Sequence, residues 1–229
     1  MKNVSFSLAA SLMFFAALFA CGTAASSTST QAEPALAAAM APTFEGDSAN
    51  LRTAILAGGC FWCTEAQFER IQGVVDVVSG YSGGTEQNPT YEQVSNKMTS
   101  HAEAVRVLYD TTVISYQELL EIFFVGHDPT TLNRQGPDVG PQYRSAIYYK
   151  TEGEKAVAEA YIEKLNQSGK FARPIVTEVT EFTSFWMAED YHQDFYELHP
   201  NQRYVYSVSR PKVEKVKKAF KDKLKPQYQ

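Results

Sequence analysis

The residue types best able to do chemistry gather at Gly58-Gly59-Cys60-Phe61-Trp62-Cys63-Thr64-Glu65. Paired glycines let the chain turn tightly, and here they leave Cys60 at a predicted helix start. Unbonded N–H groups and the helix dipole favour negative charge there. A cysteine so placed is expected to ionise below its usual value of about 8.5, giving more of the reactive thiolate. Cys63 follows one turn later, a spacing that can close a disulfide. A pair so spaced is also half of a zinc site. The further ligands would be His101, His127, His192 and His199, with no second cysteine pair, so no metal is expected. A structural disulfide remains a plainer reading of the cysteines. Phe61 and Trp62 read equally as core packing or as an apolar wall around a reactive helix end.

The elements that must position this motif follow from pattern. Residues 53–57 form a short apolar run before the glycines, a predicted strand. Residues 60–72 read as a helix with Phe61, Phe68 and Ile71 near one face and Gly73 as its stop. Residues 74–78 and 104–109 read as strands. Ser115 and Glu118 make a capping box ahead of Leu119, Leu120, Ile122, Phe123 and Phe124, which predicts a helix. Residues 143–149 read as a strand, 153–167 as a helix and 175–182 as a strand. Residues 183–206 are rich in aromatics and carry no clear period. The order βαββαβαβ predicts an α+β chain folded as a two-layer sandwich. Two long loops remain, 79–102 and 126–142, and loops of that length inside a domain are often functional.

The chain has 229 residues, 44% hydrophobic and 21% charged, enough apolar surface for a real core. Three cysteines are too few for a disulfide scaffold. A net charge of -5 argues against nucleic acid as a partner. Residues 1–21 combine Lys2, an apolar stretch and small residues before Cys21, the pattern of a signal peptide. Leu18-Phe19-Ala20-Cys21 resembles a bacterial lipobox, which would make Cys21 a lipidation site; plain secretion with Cys21 discarded is the alternative. Residues 22–50 are rich in Ala, Ser and Thr and read as a flexible linker. A catalytic domain is expected over 51–210 and a basic helix or tail over 211–229. That basic end is read as a helix packing Val213, Val216 and Phe220 on an acidic body. The expected location is the cell envelope or periplasm.

Further motifs join the first in chain order: Gly80-Tyr81-Ser82-Gly83-Gly84, Asn88-Pro89-Thr90-Tyr91, His101-Ala102-Glu103, His127-Asp128-Pro129-Thr130 and Asn133-Arg134-Gln135-Gly136. Asp138-Val139-Gly140, Gln142-Tyr143-Arg144-Ser145 and Ala188-Glu189-Asp190-Tyr191-His192-Gln193 complete the set. Together they resemble the peptide methionine sulfoxide reductases of the A type. The resemblance covers about residues 51–210. It implies a two-layer α/β fold with a ferredoxin-like core, no cofactor and no metal. It also implies thiol-dependent reduction of the S epimer of methionine sulfoxide, free or in proteins. Carried onto this sequence, the nucleophile falls on Cys60, the acid on Glu103 and the oxygen-binding tyrosines on Tyr91 and Tyr143. Asp138 matches a polar position of the substrate pocket, and Phe61 and Trp62 match the wall that holds the substrate methyl group.

Residues 64–229 contain no cysteine, whereas some relatives carry recycling cysteines near the C-terminus. Regeneration would then run through Cys63, or directly through an outside reductant. The resemblance implies thioredoxin or a thioredoxin-like partner. A monomer is expected. A general thiol-disulfide oxidoreductase is the competing reading, and it would have no need of Glu103.

Overall fold

Period-two burial along the first strand sets the two faces of the sheet. In β1 (Leu51–Gly58), Ala54 and Leu56 enter the main core, while Ile55 and Ala57 enter a smaller cluster on the other face. The computed structural model describes residues 49–229. After β1 come α1 (Phe61–Glu69), β2 (Val74–Ser82), α2 (Tyr91–Ser95), β3 (Ala102–Asp110) and α3 (Tyr116–Gly126). Next are the two-residue strands β4 (Arg134–Gln135) and β5 (Asp138–Val139), then β6 (Ser145–Tyr149) and α4 (Glu152–Gln167). The chain ends through β7 (Glu178–Glu181), β8 (Phe185–Met187), α5 (Phe195–Leu198) and α6 (Arg210–Ala219).

The main sheet has the order β7-β6-β1-β3-β2-β8. Its four central strands are antiparallel, and β7 joins the edge parallel to β6. Taken with α1 and α3, the central strands have the βαββαβ connectivity of a ferredoxin-like core. The expected α+β sandwich is therefore the one observed. Phe61, Phe68, Leu119, Leu120, Ile122, Phe123 and Phe124 of α1 and α3 meet Leu56, Val105, Val107 and Ile147 of the sheet in the main core. The opposite face is lined by small residues, with Ala57, Ala102, Ala104 and Ala146 around Ile55 and Tyr148.

Local chemistry accounts for the helix starts. Ser115 and Glu118 form the predicted capping box, with Glu118 N–H donating to Ser115 Oγ at 3.2 Å and Ser115 N–H to Glu118 Oε2 at 2.8 Å. Thr90 and Gln93 form a second box at α2, inside what the sequence presents as loop 79–102. That loop is also shortened from its start, because β2 runs on to Ser82 to pair with β8. Gly80 permits this pairing: a Cβ there would lie 2.3 Å from the Trp186 carbonyl oxygen. The predicted helix 60–72 stops at Glu69, because Ile71 leaves it to bridge Leu224.

The basic C-terminal segment packs as α6 against α1 and α3. Val213 and Val216 are fully buried, Phe220 rests on the core, and Lys223 pairs with Glu118. The signal segment, Cys21 and most of the linker lie outside the described residues. Among the described residues no helix is long and apolar enough to cross a membrane.

Candidate active site

Cys60 sits where β1 hands over to α1, as the residue capping the helix start. Its own carbonyl accepts from Cys63 N–H at 3.1 Å and Thr64 N–H at 3.3 Å. Gly59, with φ +93, makes the turn into this position. A Cβ on Gly59 would lie 2.4 Å from Gln135 Cγ, so glycine also admits the loop that braces the turn. Gln135 in turn holds Asp128 by both backbone groups, accepting from its N–H and donating to its carbonyl, each at 2.9 Å. Loop 126–142 is thereby fastened beneath the cysteine. His127 adds a further brace. Its Nδ1–H donates to Phe123 O and its Nε2 accepts from Ser145 Oγ, both at 2.7 Å, while Ser145 pairs with Gly58 across the sheet. Burial pushes His127 down to about 4, so it is a neutral structural histidine at pH 7.

Glu103 comes from β3, in register with Tyr81 of β2 and on the strand face that also carries Val105 and Val107. It is 2% exposed. One oxygen, Oε2, accepts from Phe61 N–H, a free amide of the first turn of α1, at 3.1 Å. Burial pushes its pKa up to about 8; the Phe61 amide opposes the rise, and the nearby Asp138 charge adds to it. The acid is thus mainly protonated at neutral pH.

Cys60, Phe61, Trp62, Tyr91, Glu103, Tyr143, Gln202 and Tyr204 line one cavity of about 290 Å³. Tyr91 opens α2 and its N–H donates to Glu189 Oε1 at 2.8 Å; the other oxygen of Glu189 accepts from Tyr81 OH at 2.8 Å. Tyr143 closes a short 3₁₀ turn, Pro141–Tyr143. Gln142 ties that turn to the end of α2 by donating to Ser95 O at 3.0 Å. The two tyrosines therefore stand on supports joined to each other. Burial raises both phenols, and nearby Glu103 adds to this, so each remains a donor across the ordinary pH range.

Trp62 stacks on Phe195, with ring centroids 3.8 Å apart and planes within 9°. Its Nε1–H donates to His192 Nδ1 at 3.1 Å. The His192 ring packs on Phe61 and Tyr91, with centroids 5.1 and 4.2 Å away. Phe61, 1% exposed, is both core and cavity wall, so the two readings of the aromatics describe the same side chain. Gln193 fixes the segment that carries His192 by bonding both backbone groups of Ser79, at 2.9 and 3.1 Å.

Asp138 stands behind the cavity wall and accepts from Tyr204 OH. Tyr204 and Gln202 are the lining residues absent from the sequence expectation. Their signal was the aromatic richness of residues 183–206, which has no period to assign it to a face. Cys63 also lies off the cavity, 2% exposed, and its thiol donates to Ser209 Oγ at 3.2 Å. Both cysteines are free and buried, and each shifts the titration of the other.

One sequence expectation is corrected. Cys60 is not pushed toward the thiolate. Burial raises its thiol well above the usual range, and the Cys63 and Glu103 charges act in the same direction. The helix start favours negative charge, but a side chain 5% exposed gives up too much hydration for that to prevail. The site therefore rests with a neutral thiol facing a neutral acid. Among the described residues no group of three or more His, Cys, Asp or Glu side chains could hold a metal ion.

The peptide methionine sulfoxide reductase family matches residues 52–224. A peptide methionine sulfoxide reductase MsrA of Haloquadratum walsbyi is 54% identical over 172 residues, covering 75% of this chain and 98% of the relative. An MsrA of Sulfolobus acidocaldarius is 54% identical over 173 residues, covering 76% and 97%. Among solved structures, reduced Mxr1 from Saccharomyces cerevisiae matches with a TM-score of 0.63 and 34% identity, over 70% of this chain and 92% of that one. Methionine sulfoxide reductase A of Corynebacterium diphtheriae matches with a TM-score of 0.59 and 35% identity, over 66% and 76%. From its motifs, its fold and these likenesses together, the chain belongs to the peptide methionine sulfoxide reductase family.

Proposed function

We propose that the protein reduces the S epimer of methionine sulfoxide, free or in proteins, with Cys60 as nucleophile and Glu103 as acid. The observation that carries this reading is the buried Glu103 lining one cavity with Cys60, Phe61 and Trp62, where burial favours its protonated form. A sulfoxide sulfur accepts a thiol only if its oxygen is protonated or strongly hydrogen bonded as the S–O bond breaks. Glu103 supplies the proton, and Tyr91 and Tyr143 donate to the oxygen as charge develops. The substrate methyl group rests on the aromatic wall.

The proton count closes within the site. Glu103 gives its proton to the sulfoxide oxygen. The Cys60 sulfur attacks the sulfoxide sulfur and its own proton returns to Glu103. The oxygen passes to Cys60, leaving a sulfenic acid and free methionine, so methionine gains the two electrons that Cys60 loses. Cys63 then attacks the Cys60 sulfur, a disulfide forms and water departs. An external dithiol, thioredoxin or a thioredoxin-like protein, reduces the disulfide.

The N-terminal pattern supports export to the envelope, with Cys21 lipidated and residues 22–50 as the tether. Repair there has a physical benefit, because oxidation turns an apolar, flexible side chain polar and disrupts cores. Single-turnover assay of the two resolved epimers of a blocked methionine sulfoxide tests the reaction. Methionine from the S epimer alone is expected. No methionine from either epimer, with the fold verified, would replace this reading by general disulfide exchange.

A further inference from the structure

Cys63 has neighbours that the reduction step does not use. Its hydrogen-bond partner Ser209 is fully buried and ends a π-helical turn, Val205–Ser209, that runs directly into α6. Such turns displace side chains from the regular helical phase and recur at functional sites. Three residues on, Lys212 occupies the same helix face. Its Nζ is sealed from solvent and has no hydrogen-bond partner among the described residues. A buried ammonium without a partner is unfavourable and calls for an anion. Its field reaches both Cys63 and His127.

We infer that Ser209 and Lys212 form a cradle that holds Cys63 as a thiolate for its attack on oxidised Cys60, making them positioning residues of the recycling step. The inference rests on the Cys60–Cys63 disulfide proposed above. In that step the Cys63 thiolate bonds to the Cys60 sulfur, the S–O bond of the sulfenic acid breaks, and the oxygen leaves as water with a proton from Glu103, which regains the one Cys63 gave up on ionising.

The groups facing Cys63 show why a cation is needed. Glu103 of β3, Tyr204 and Cys60 itself stand nearby as neutral groups, and the Asp138 charge of β5 opposes a thiolate. The Cys63 thiol is lowered to about 7, first by the hydrogen bond from Cys60, against burial, then by Lys212 and by Ser209. The Cys60 S–H is gone once Cys60 carries oxygen. Lys212 and Ser209 are the favourable partners left when the attack occurs.

The test follows disulfide formation by rapid quench and mass spectrometry after one equivalent of sulfoxide, in wild type, Lys212→Met and Ser209→Ala. Methionine replaces an unpaired ammonium by an apolar side chain of similar length, which the fold should accept. Raising a thiol by about one unit cuts its thiolate fraction about tenfold at low pH, while higher basicity returns about threefold in nucleophilicity. Lys212→Met should therefore form the disulfide about threefold slower at pH 6, yet no slower above about pH 9. The first methionine should still be released as in wild type. A purely structural lesion would slow the step at every pH. In a Cys60→Ser background, thiolate absorbance should show Cys63 titrating higher in both variants, a readout independent of turnover. Disulfide formation and Cys63 titration that match wild type at every pH would overturn the cradle alone. Methionine release without any Cys60–Cys63 disulfide in wild type would overturn the underlying cycle instead.

Discussion

The amide of Phe61 donates to one carboxyl oxygen of Glu103 at 3.1 Å, so the helix that presents Cys60 also orients Glu103. One oxygen is committed to the backbone, and the other is free to carry the proton. Glu103→Gln keeps an oxygen for the Phe61 amide but has no acidic proton. Methionine formation in a single turnover should fall by about 10²–10⁴-fold with the fold intact. Circular dichroism checks the fold and rapid quench the rate; a loss under threefold would remove Glu103 from the acid role.

The same carboxyl sets the alkaline limit. Its protonated form is the active one, and burial holds its pKa near 8. The acid is present below that value and lost above it, so methionine formation should decline as pH rises through about 8. The pH profile of single-turnover rates reads this limb. A rate still rising at pH 9.5 would contradict it.

The two cysteines should separate by step. Cys60→Ser should yield no methionine. Cys63→Ser should yield one equivalent and then stall, with a sulfenic acid trappable by dimedone. Steady turnover of Cys63→Ser with thioredoxin would show that another route regenerates the enzyme.

Glu65 of α1 is 1% exposed, and burial, with the Glu69 charge, pushes it up to about 9. Burial likewise lifts Glu69 to about 8. Each is protonated when folded and ionised when unfolded at neutral pH. Stability from these groups is complete below about pH 4.5 and is lost as pH rises through 8–9. Glu65→Gln removes an ionisation worth about 3 kcal/mol at pH 7, and the unpartnered amide protons of Gln offset part of it. Urea unfolding should show Glu65→Gln more favourable relative to wild type at pH 8 than at pH 4, by about 3–5 kcal/mol. Equal shifts at both pH values would rule out the ionisation account.

Phe195→Ala removes the ring stacked on Trp62 and leaves the reacting groups in place. The wall should bind the substrate methyl group less well, raising KM about tenfold with a smaller change in kcat. Steady-state kinetics test this. A fall in kcat at unchanged KM would place Phe195 in the chemistry instead.

What the sequence made legible depended on how local each signal was. The capping box at Ser115, the glycine turn before Cys60 and the alternation of β1 are all contained within a few residues. Glu103 alone reads as a solvated strand residue; the ordered motifs around it single it out, and its burial is visible only in the fold. The other motif residues proved to be braces: Gln135 under Gly59, Gln142 on Ser95, Gln193 on Ser79. Tyr204 and Gln202 escaped because residues 183–206 change between short elements with no period. The Cys60 thiol departs from the sequence expectation for a related reason. A helix start is visible in sequence, whereas the burial of Cys60 beside Cys63 and Glu103 is not.

The placement of the two sulfurs has a kinetic consequence. Cys60 opens onto the cavity and Cys63 lies behind it, so in the proposed cycle an incoming reductant would meet the Cys60 sulfur of the disulfide first and expel Cys63 toward Lys212. Oxidised substrate and reductant thus arrive through one doorway and must take turns. Double-reciprocal plots against the two should run parallel, and an excess of either visitor should slow the other.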